Sequence, residues 1–366
     1  MEEDNRCTVP FDGRSRIVLH TNSASGCCKT PLYPIDHDTG VLTKELIELR
    51  TSIVNNERSP QCINCWKIDD EGGPSYRRRH STHFGKLIDW NKLDIYQPVR
   101  NIEVLFSNKC QMMCVYCSSD ISSMWENYDN KHNPIKIVAY KHTRKLEEII
   151  DVSNLRVILF SGGEPLLEPE CVDFIMKLPY EKTRELSIVT NLSYGSNVFD
   201  TLKNIIHCHP SIFVVCSLDS LGENLNRKYL NWDLWKKNFE ELIYIKPRGG
   251  IIINITVTIL NYKDVQGIIE YILDLRKIGI SDLSFNIDPI ETGSRTSLAS
   301  GRLDSEYSIQ LSDSNDKYLT KKEKALISSY NLLLRKVEYS DSLAEETNRF
   351  LENYLEYCGI GILVVS

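Results

Sequence analysis

Between about residue 100 and residue 290, short apolar runs alternate with longer amphipathic stretches. The apolar runs are rich in β-branched residues, which is typical of strands buried on both faces of a parallel sheet. They lie at residues 102–106, 156–160, 186–190, 212–216, 252–258 and 283–287. The amphipathic stretches lie at residues 143–150, 198–206, 230–245 and 264–278. The alternation predicts an α/β fold, with active-site residues at the carboxyl ends of the strands.

Three cysteines follow the first predicted strand. Cys110, Cys114 and Cys117 have the spacing Cys-x3-Cys-x2-Cys, and Tyr116 precedes the last of them. Thiolates bind soft metal centres, including iron–sulfur clusters, zinc and copper. Closed zinc and iron–sulfur sites normally have four protein ligands, so three cysteines would leave one metal position for a ligand that is not protein. The alternatives are a zinc knuckle or thiols buried in a core.

A glycine-rich turn follows the second predicted strand, with the sequence Gly162-Gly163-Glu164-Pro165 after Ser161. Two glycines allow the backbone to approach a ligand closely, and proline restricts the turn. Polar side chains also end or follow the third and fourth predicted strands: Asn191, Ser217, Asp219 and Arg227. All these residues are therefore expected at one end of the sheet.

The cysteine triad with Tyr116, and the Gly-Gly-Glu-Pro turn one strand later, resemble the cluster loop and the GGEP motif of radical S-adenosylmethionine (SAM) enzymes. The resemblance implies a partial (βα)6 barrel of TIM type. In that family three cysteines hold a [4Fe-4S] cluster, and the amino and carboxylate groups of SAM chelate its fourth iron. The reduced cluster then cleaves SAM to methionine and a 5′-deoxyadenosyl radical.

The resemblance also assigns roles to individual residues. It implies that Cys110, Cys114 and Cys117 are the cluster ligands and the catalytic residues. It places the following residues at SAM: Tyr116, Gly162, Gly163, Glu164, Pro165, Asn191, Ser217, Asp219 and Arg227. For Arg227, a salt bridge at the start of a helix is an equal alternative.

A second set of cysteines precedes the barrel. Cys62 and Cys65 form a Cys-x2-Cys pair, a common half-site for zinc or an iron–sulfur cluster. Cys7 and one of the adjacent pair Cys27 and Cys28 would complete four ligands. The arrangement resembles the twitch domain, a shortened relative of the SPASM domain that binds an auxiliary [4Fe-4S] cluster. The resemblance favours Cys27 over Cys28, and structural zinc is the alternative.

A further signature supports that resemblance. A group of radical SAM enzymes with an N-terminal twitch domain carries Glu, Gly, Ser and Arg after its Cys-x2-Cys pair. Here the corresponding residues are Glu71, Gly72, Gly73, Ser75 and Arg77. The predicted domains are therefore a twitch-like domain at 1–95, a radical SAM barrel at 96–290 and a C-terminal loop with helices at 291–366.

Composition limits the partners. The chain has 366 residues and a net charge of -7, which argues against a nucleic-acid backbone as the main partner. No apolar run is long enough for a membrane span, and the acidic N-terminus lacks the apolar region of a signal peptide. We therefore expect a cytoplasmic protein. In that reducing compartment, the 12 cysteines are expected to be metal ligands rather than disulfides.

The resulting prediction is a radical SAM oxidoreductase or maturase that abstracts hydrogen from a peptide or protein side chain. Oxidation, crosslinking or epimerisation would follow, with the auxiliary cluster as electron acceptor and flavodoxin or ferredoxin as reductant. The alternative substrate is a small metabolite or sugar. A non-catalytic iron–sulfur or zinc scaffold is a second alternative, and the acidic balance disfavours an RNA-modifying methylthiotransferase.

Overall fold

The computed structural model describes residues 5–70, 75–78, 89–132, 145–181, 184–222, 224–290, 303, 307–337 and 340–357. Three parts of the sequence predictions lie outside these residues. They are the Glu71, Gly72 and Gly73 positions of the twitch-like signature, most of the loop from residue 291 onward, and the last residues of the chain.

The described strands are β1 (Ser15–Val18), β2 (Ser23–Ser25), β3 (Tyr33–Pro34), β4 (Asn101–Leu105), β5 (Met113–Cys114), β6 (Val157–Ser161), β7 (Glu185–Thr190), β8 (Phe213–Ser217), β9 (Arg227–Lys228), β10 (Gly250–Val257) and β11 (Leu283–Pro289). The described α-helices are α1 (Val9–Asp12), α2 (Lys44–Val54), α3 (Ile63–Asp70), α4 (Ser123–His132), α5 (Pro169–Lys177), α6 (Ser196–Cys208), α7 (Trp232–Ile245), α8 (Val265–Lys277), α9 (Asp313–Asp316), α10 (Lys321–Lys336) and α11 (Asp341–Tyr357). Short 3₁₀ turns lie at Leu19–Thr21, Pro60–Cys62, Trp90–Lys92, Leu146–Glu148, Val152–Asn154 and Pro165–Leu167.

These elements confirm the predicted α/β class with a parallel sheet and a helical C-terminal region. The strands predicted from apolar runs are present as β4, β6, β7, β8, β10 and β11, within two residues of the predicted bounds. One predicted helix differs. The described part of the stretch 143–150 is a 3₁₀ turn at Leu146–Glu148, because the buried Leu146 and Ile149 are three residues apart and one turn places both in the core.

The chain divides into two compact units. Unit 1 comprises residues 1–109 and 134–188, and unit 2 comprises residues 110–133 and 189–366. The domain boundaries predicted from the sequence stay a prediction. Among the described residues, no helix is both long and apolar enough to cross a membrane.

Unit 1 contains a mixed sheet. β1, β4, β6 and β7 pair in parallel, in that order, and β2 and β3 add antiparallel strands beside β1. Ile102 and Val104 on β4, and Ile158 and Phe160 on β6, are completely buried. Burying one such side chain contributes about 1.5–3 kcal/mol. Phe160 packs on Phe174 of α5 with ring centroids 6.1 Å apart, so this face is covered by a helix.

Unit 2 contains a parallel sheet in the order β8, β10, β11. Helix α8 covers one face through buried apolar residues that recur at helical spacing: Val265, Ile268, Ile269, Ile272 and Leu273. The other face carries polar side chains in one row, because Asn254 of β10 is in register with Ser217 of β8 and Asn286 of β11. The end of β8 therefore brings Ser217 and the residues after it to the predicted site.

Candidate functional site

The loop with the cysteine triad is part of unit 2, and a two-stranded antiparallel ribbon fixes its centre. In this ribbon β5 pairs with β9, so that Cys114 lies opposite Arg227. The backbone N–H of Val115 donates a hydrogen bond to the carbonyl of Asn226 at 3.0 Å. The N–H of Cys117 donates to the carbonyl of Cys114, also at 3.0 Å, which closes a turn between these two cysteines.

The beginning of the loop is fixed by helix α4. The N–H of Cys110 donates to the hydroxyl of Ser123 at 3.1 Å, and that hydroxyl donates back to the carbonyl of Cys110 at 3.1 Å. The hydroxyl of Ser122 donates to the carbonyl of Met112 at 3.0 Å. These two serines therefore hold the residues on both sides of Gln111.

The thiols of the triad differ in acidity. A hydrogen bond with the Cys117 thiol lowers the pKa of Cys114 to about 7 against the effect of burial, and the charge of Arg227 lowers it further. The same hydrogen bond, together with burial, raises the pKa of Cys117. Thiolates are the form that binds metals, so this donor set fits a soft metal centre.

The three thiols of the triad share one loop, but they are not arranged as a complete metal site. In the part of the chain that the structure describes, no three His, Cys, Asp or Glu side chains are grouped so as to hold a metal ion. The assignment of Cys110, Cys114 and Cys117 as cluster ligands stays a prediction.

Tyr116, Asp219 and Arg227 form one buried hydrogen-bond network. The Tyr116 hydroxyl donates to Oδ2 of Asp219 at 2.7 Å and accepts from Nη1 of Arg227 at 2.8 Å. Oδ1 of Asp219 accepts from the backbone N–H of Thr256 at 3.0 Å. Arg227 and Asp219 are 5% and 0% exposed, so both side chains support Tyr116 from inside the fold.

The network also places two ionisable side chains, Asp219 and Arg227, in the buried interior near the triad. Burial raises the pKa of Asp219, although the charge of Arg227 opposes this. Nε of Arg227 is buried and has no hydrogen-bond partner among the described residues. An unused buried donor carries a desolvation cost of about 1–3 kcal/mol, which an anionic or carbonyl acceptor would offset. The roles of Asp219 and Arg227 toward SAM stay predictions.

Asn191 is paired with a residue that the sequence analysis did not select. Nε2 of Gln111 donates to Oδ1 of Asn191 at 3.0 Å, and Nδ2 of Asn191 donates to Oε1 of Gln111 at 3.1 Å. Gln111 also donates to the carbonyl of Ser193 at 3.0 Å. The sequence feature that could have identified Gln111 is its place between Cys110 and Cys114, because an amide side chain in such a loop needs partners for both its donor and its acceptor groups.

Ser217, at the end of β8, is 9% exposed and so largely enclosed. Its carbonyl accepts a hydrogen bond from Nε1 of Trp235 at 3.2 Å. The structure therefore brings Asn191, Ser217, Asp219 and Arg227 into unit 2 with the triad.

The Gly-Gly-Glu-Pro turn is part of unit 1. Gly162 has a φ of 120°, which is strained for any residue with a side chain. A Cβ on Gly163 would lie 2.2 Å from the carbonyl oxygen of Lys109, and the N–H of Glu164 donates to that oxygen at 2.7 Å. The turn is thus fixed against the residue that immediately precedes Cys110 in the chain.

Glu164 and Pro165 begin the next 3₁₀ turn. Glu164 is 1% exposed, and its carboxylate accepts from the N–H of Leu166 at 3.5 Å. Pro165 is the first residue of the turn, where its fixed φ is favourable. The predicted contact of these residues with SAM stays a prediction.

The second set of cysteines lies in the core of unit 1. Cys7 and Cys27 are buried in an apolar cluster, and Cys28 and Cys62 pack against it, together with side chains from several segments: Val9, Phe11, Leu49, Ile53, Val54, Tyr76, Trp90 and Leu93. Burial raises the pKa of Cys7 to about 12, and the nearby Cys62 and Cys65 raise it too. Burial also raises the pKa of Cys62 to about 12. These thiols are therefore close enough to affect each other's ionisation.

The alternatives Cys27 and Cys28 are hydrogen-bonded to each other. This bond raises the pKa of Cys27 and lowers the pKa of Cys28 to about 7. Arg77 is the last residue of the twitch-like signature. It forms an ion pair with Asp69 at 2.6 Å, and its guanidinium carbon lies 4.5 Å from the ring centroid of Trp66. Arg77 is thereby fixed beside the helix that carries Cys65.

Comparison with known proteins agrees with this site. Residues 104–272 match the model of the Radical SAM superfamily. The match includes the triad, the Gly-Gly-Glu-Pro turn and Arg227.

The chain spans less than two thirds of the length of the curated relatives described here. The chain is 28% identical over 200 residues to an S-adenosylmethionine-dependent nucleotide dehydratase of Fibrobacter sp. (strain UWH6), which is 49% of this chain and 58% of that relative. It is 24% identical over 213 residues to a probable GTP 3',8-cyclase of Methanocaldococcus jannaschii, which is 53% of this chain and 66% of that relative. Among solved structures, anSMEcpe with bound AdoMet has 18% identity and a TM-score of 0.37, with 70% of this chain and 67% of that chain covered.

Proposed function

We propose that this chain is a radical SAM enzyme that abstracts hydrogen from its substrate. The observation that carries the proposal is the β5–β9 ribbon, which places Arg227 opposite Cys114 while the guanidinium of Arg227 donates a hydrogen bond to Tyr116. The superfamily match over residues 104–272 supports it. A bound [4Fe-4S] cluster with SAM would supply the electron that cleaves SAM to methionine and a 5′-deoxyadenosyl radical.

The side chains of this site have distinct tasks in the proposal. Cys110, Cys114 and Cys117 hold the cluster, and the lowered pKa of Cys114 favours the thiolate form that binds metal. Tyr116 keeps one orientation because its hydroxyl is bonded on two sides. The backbone of Gly162 and Gly163 receives the methionine part of SAM.

The cysteines of unit 1 are proposed to hold an auxiliary [4Fe-4S] cluster in a twitch-like site. The support is their common location, because Cys62 and Cys65 are near enough to raise the pKa of Cys7, and Cys65 is near enough to raise the pKa of Cys62. With four protein ligands, including Cys27, this cluster would have no iron free for substrate, and its task would be electron transfer. Structural zinc is the alternative for the same donors.

Two substrate classes remain candidates. The twitch-like arrangement favours a peptide or protein side chain, which would be oxidised, crosslinked or epimerised. The names of the Fibrobacter and Methanocaldococcus relatives, a nucleotide dehydratase and a GTP cyclase, favour a small molecule such as a nucleotide. Flavodoxin or ferredoxin is the proposed reductant for either substrate.

The test is anaerobic reconstitution followed by iron, sulfide and zinc analysis and by measurement of 5′-deoxyadenosine after addition of SAM and dithionite. Two clusters predict about eight irons per chain. Absence of 5′-deoxyadenosine from iron-loaded protein would contradict the enzymatic proposal. Deuterated peptides and deuterated nucleotides then separate the substrate classes, because only the true substrate transfers deuterium into 5′-deoxyadenosine.

A further inference from the structure

The C-terminal helix α11 presents an aromatic face to the cluster loop within unit 2. Phe350, Leu351 and Tyr354 are 9%, 1% and 0% exposed. They share one apolar cluster with Trp125 of α4 and with Met113 and Val115 of the loop. Phe350 and Leu351 lie four and three residues before Tyr354, a spacing that places each of them beside Tyr354 on the helix surface, so α11 uses this side to cover the loop.

Three aromatic rings form the contact. Trp125 stacks on Tyr354 with ring centroids 5.6 Å apart and planes 18° apart. Phe350 lies 5.6 Å from both Trp125 and Tyr354, with tilts of 32° and 24°. We call Trp125, Phe350 and Tyr354 the aromatic clamp.

The clamp also donates two hydrogen bonds to consecutive carbonyls of the cluster loop. The Tyr354 hydroxyl donates to the carbonyl of Met113 at 2.9 Å. Nε1 of Trp125 donates to the carbonyl of Cys114 at 2.7 Å. Met113 and Cys114 are 0% and 6% exposed, so water does not replace these donors while the loop is closed. The two residues of β5 thus have both their carbonyls bonded to clamp side chains.

We propose that the aromatic clamp holds the cluster loop in its closed position, with Tyr354 as the positioning residue for Cys114. This inference rests on the proposed function, because it assigns to α11 a task in preparing the cluster ligands. Without the Tyr354 hydroxyl, the buried carbonyl of Met113 has lost this donor, and the closed loop loses stability relative to an open loop in which water bonds that carbonyl.

The test separates this hydrogen bond from ring packing, because Tyr354→Phe keeps the ring. In metal-free protein under anaerobic conditions, pulse labelling with iodoacetamide and peptide mass spectrometry measures the reactivity of each cysteine. We expect Cys114 in Tyr354→Phe to be labelled about tenfold faster, the factor that corresponds to about 1.4 kcal/mol. Tyr244→Phe is the matched control, because Tyr244 is 87% exposed on α7.

Cys216 serves as an internal reference, since it is completely buried on β8 in the same unit. Faster labelling of Cys114 with unchanged Cys216 supports a local clamp. Equal acceleration at Cys114 and Cys216 would show that Tyr354 only stabilises unit 2 as a whole, which overturns the proposal. Unchanged labelling of Cys114 overturns it as well.

A second readout uses reconstituted protein. The electron paramagnetic resonance spectrum of the reduced cluster is expected to change in Tyr354→Phe and to stay the same in Tyr244→Phe, because only the first variant alters the peptide groups at Cys114. An identical spectrum in Tyr354→Phe would contradict a role in cluster positioning. Failure of the unaltered protein to bind iron would refute the proposed function instead, and the labelling result would still stand by itself.

Discussion

The two cysteine sets of this chain differ in how their members are spaced along the sequence and in the environment of their thiols. In unit 2 the triad comes from one short loop, and the pKa of Cys114 is lowered to about 7 by the Cys117 thiol and by Arg227. In unit 1 the cysteines come from separate segments of an apolar core, and burial raises the pKa of Cys7 and Cys62 to about 12. Neutral buried thiols behave as small apolar groups. Cys114 thus loses its proton more readily than an ordinary thiol, whereas Cys7 and Cys62 hold their protons more tightly and must release them when metal binds.

The largest expected effect is that of Cys114→Ala. This change removes the thiol with the lowered pKa from the centre of the triad, and SAM cleavage should fall to background. Iron should fall from about eight to about four per chain, because one of two four-iron clusters is lost. Liquid chromatography of 5′-deoxyadenosine and iron analysis measure both. The control is Cys208→Ala, at an exposed position on α6. Continued SAM cleavage by Cys114→Ala would refute the assignment of the triad.

The next largest effect is expected from removing two cysteines of unit 1, which tests whether the two cysteine sets bind metal independently. The double variant Cys62→Ala/Cys65→Ala should also lower iron from about eight to about four per chain, but it should retain SAM cleavage because the triad is unchanged. Iron and zinc analysis with the 5′-deoxyadenosine assay measures this difference. If zinc falls instead and iron does not, the unit 1 site is structural zinc. If neither metal changes, these cysteines are core residues.

The strands could be predicted from the sequence more fully than the contacts around the two cysteine sets. The strands and the triad are local patterns, since β-branched runs and cysteine spacing are visible in a few consecutive residues. The partner of Cys114 in the ribbon, Arg227, was also selected, although for a contact with SAM rather than for its bond to Tyr116.

The remaining contacts could not be predicted because they join distant residues. Tyr354 bonds the carbonyl of Met113 across 241 positions, and nothing in the local pattern of α11 identifies that acceptor. The burial of Asp219 likewise depends on Thr256 and Asn261, which approach it only after the strands are in place. Tertiary packing therefore decided which polar residues support the loop and which remain available to a ligand.

A smaller effect is expected from Gly163→Ala, which tests SAM binding without changing a cysteine. The added Cβ would lie 2.2 Å from the backbone oxygen of Lys109, so the turn must shift. Such overpacking costs about 1–3 kcal/mol, and we expect the Kd for SAM to rise about tenfold or more. Calorimetric titration of iron-loaded protein measures the Kd. Gly267→Ala is the control, since a Cβ there has no atom within 4 Å. Equal affinity in both variants would mean that the turn tolerates the shift.

The smallest effect is expected from Glu323→Gln, which destabilises unit 2 without removing a cysteine from either set. Burial alone would raise the pKa of Glu323, but hydrogen bonds from Arg276 and Thr320 outweigh it and hold the pKa below its ordinary value. The ion pair with Arg276 therefore stabilises the fold above the unfolded pKa of about 4.3, and this contribution is lost as the pH falls through the folded pKa.

At pH 7 the variant should lose about 1–3 kcal/mol of unfolding free energy, because both partners are nearly buried, with exposures of 8% and 4%. Urea unfolding should show this difference at pH 7 and a smaller one at pH 3. Iron content at pH 7 should equal that of the unaltered protein. Loss of iron in Glu323→Gln would show that general destabilisation of unit 2 is enough to release a cluster, and the effect of Cys114→Ala would then no longer distinguish ligand loss from unfolding.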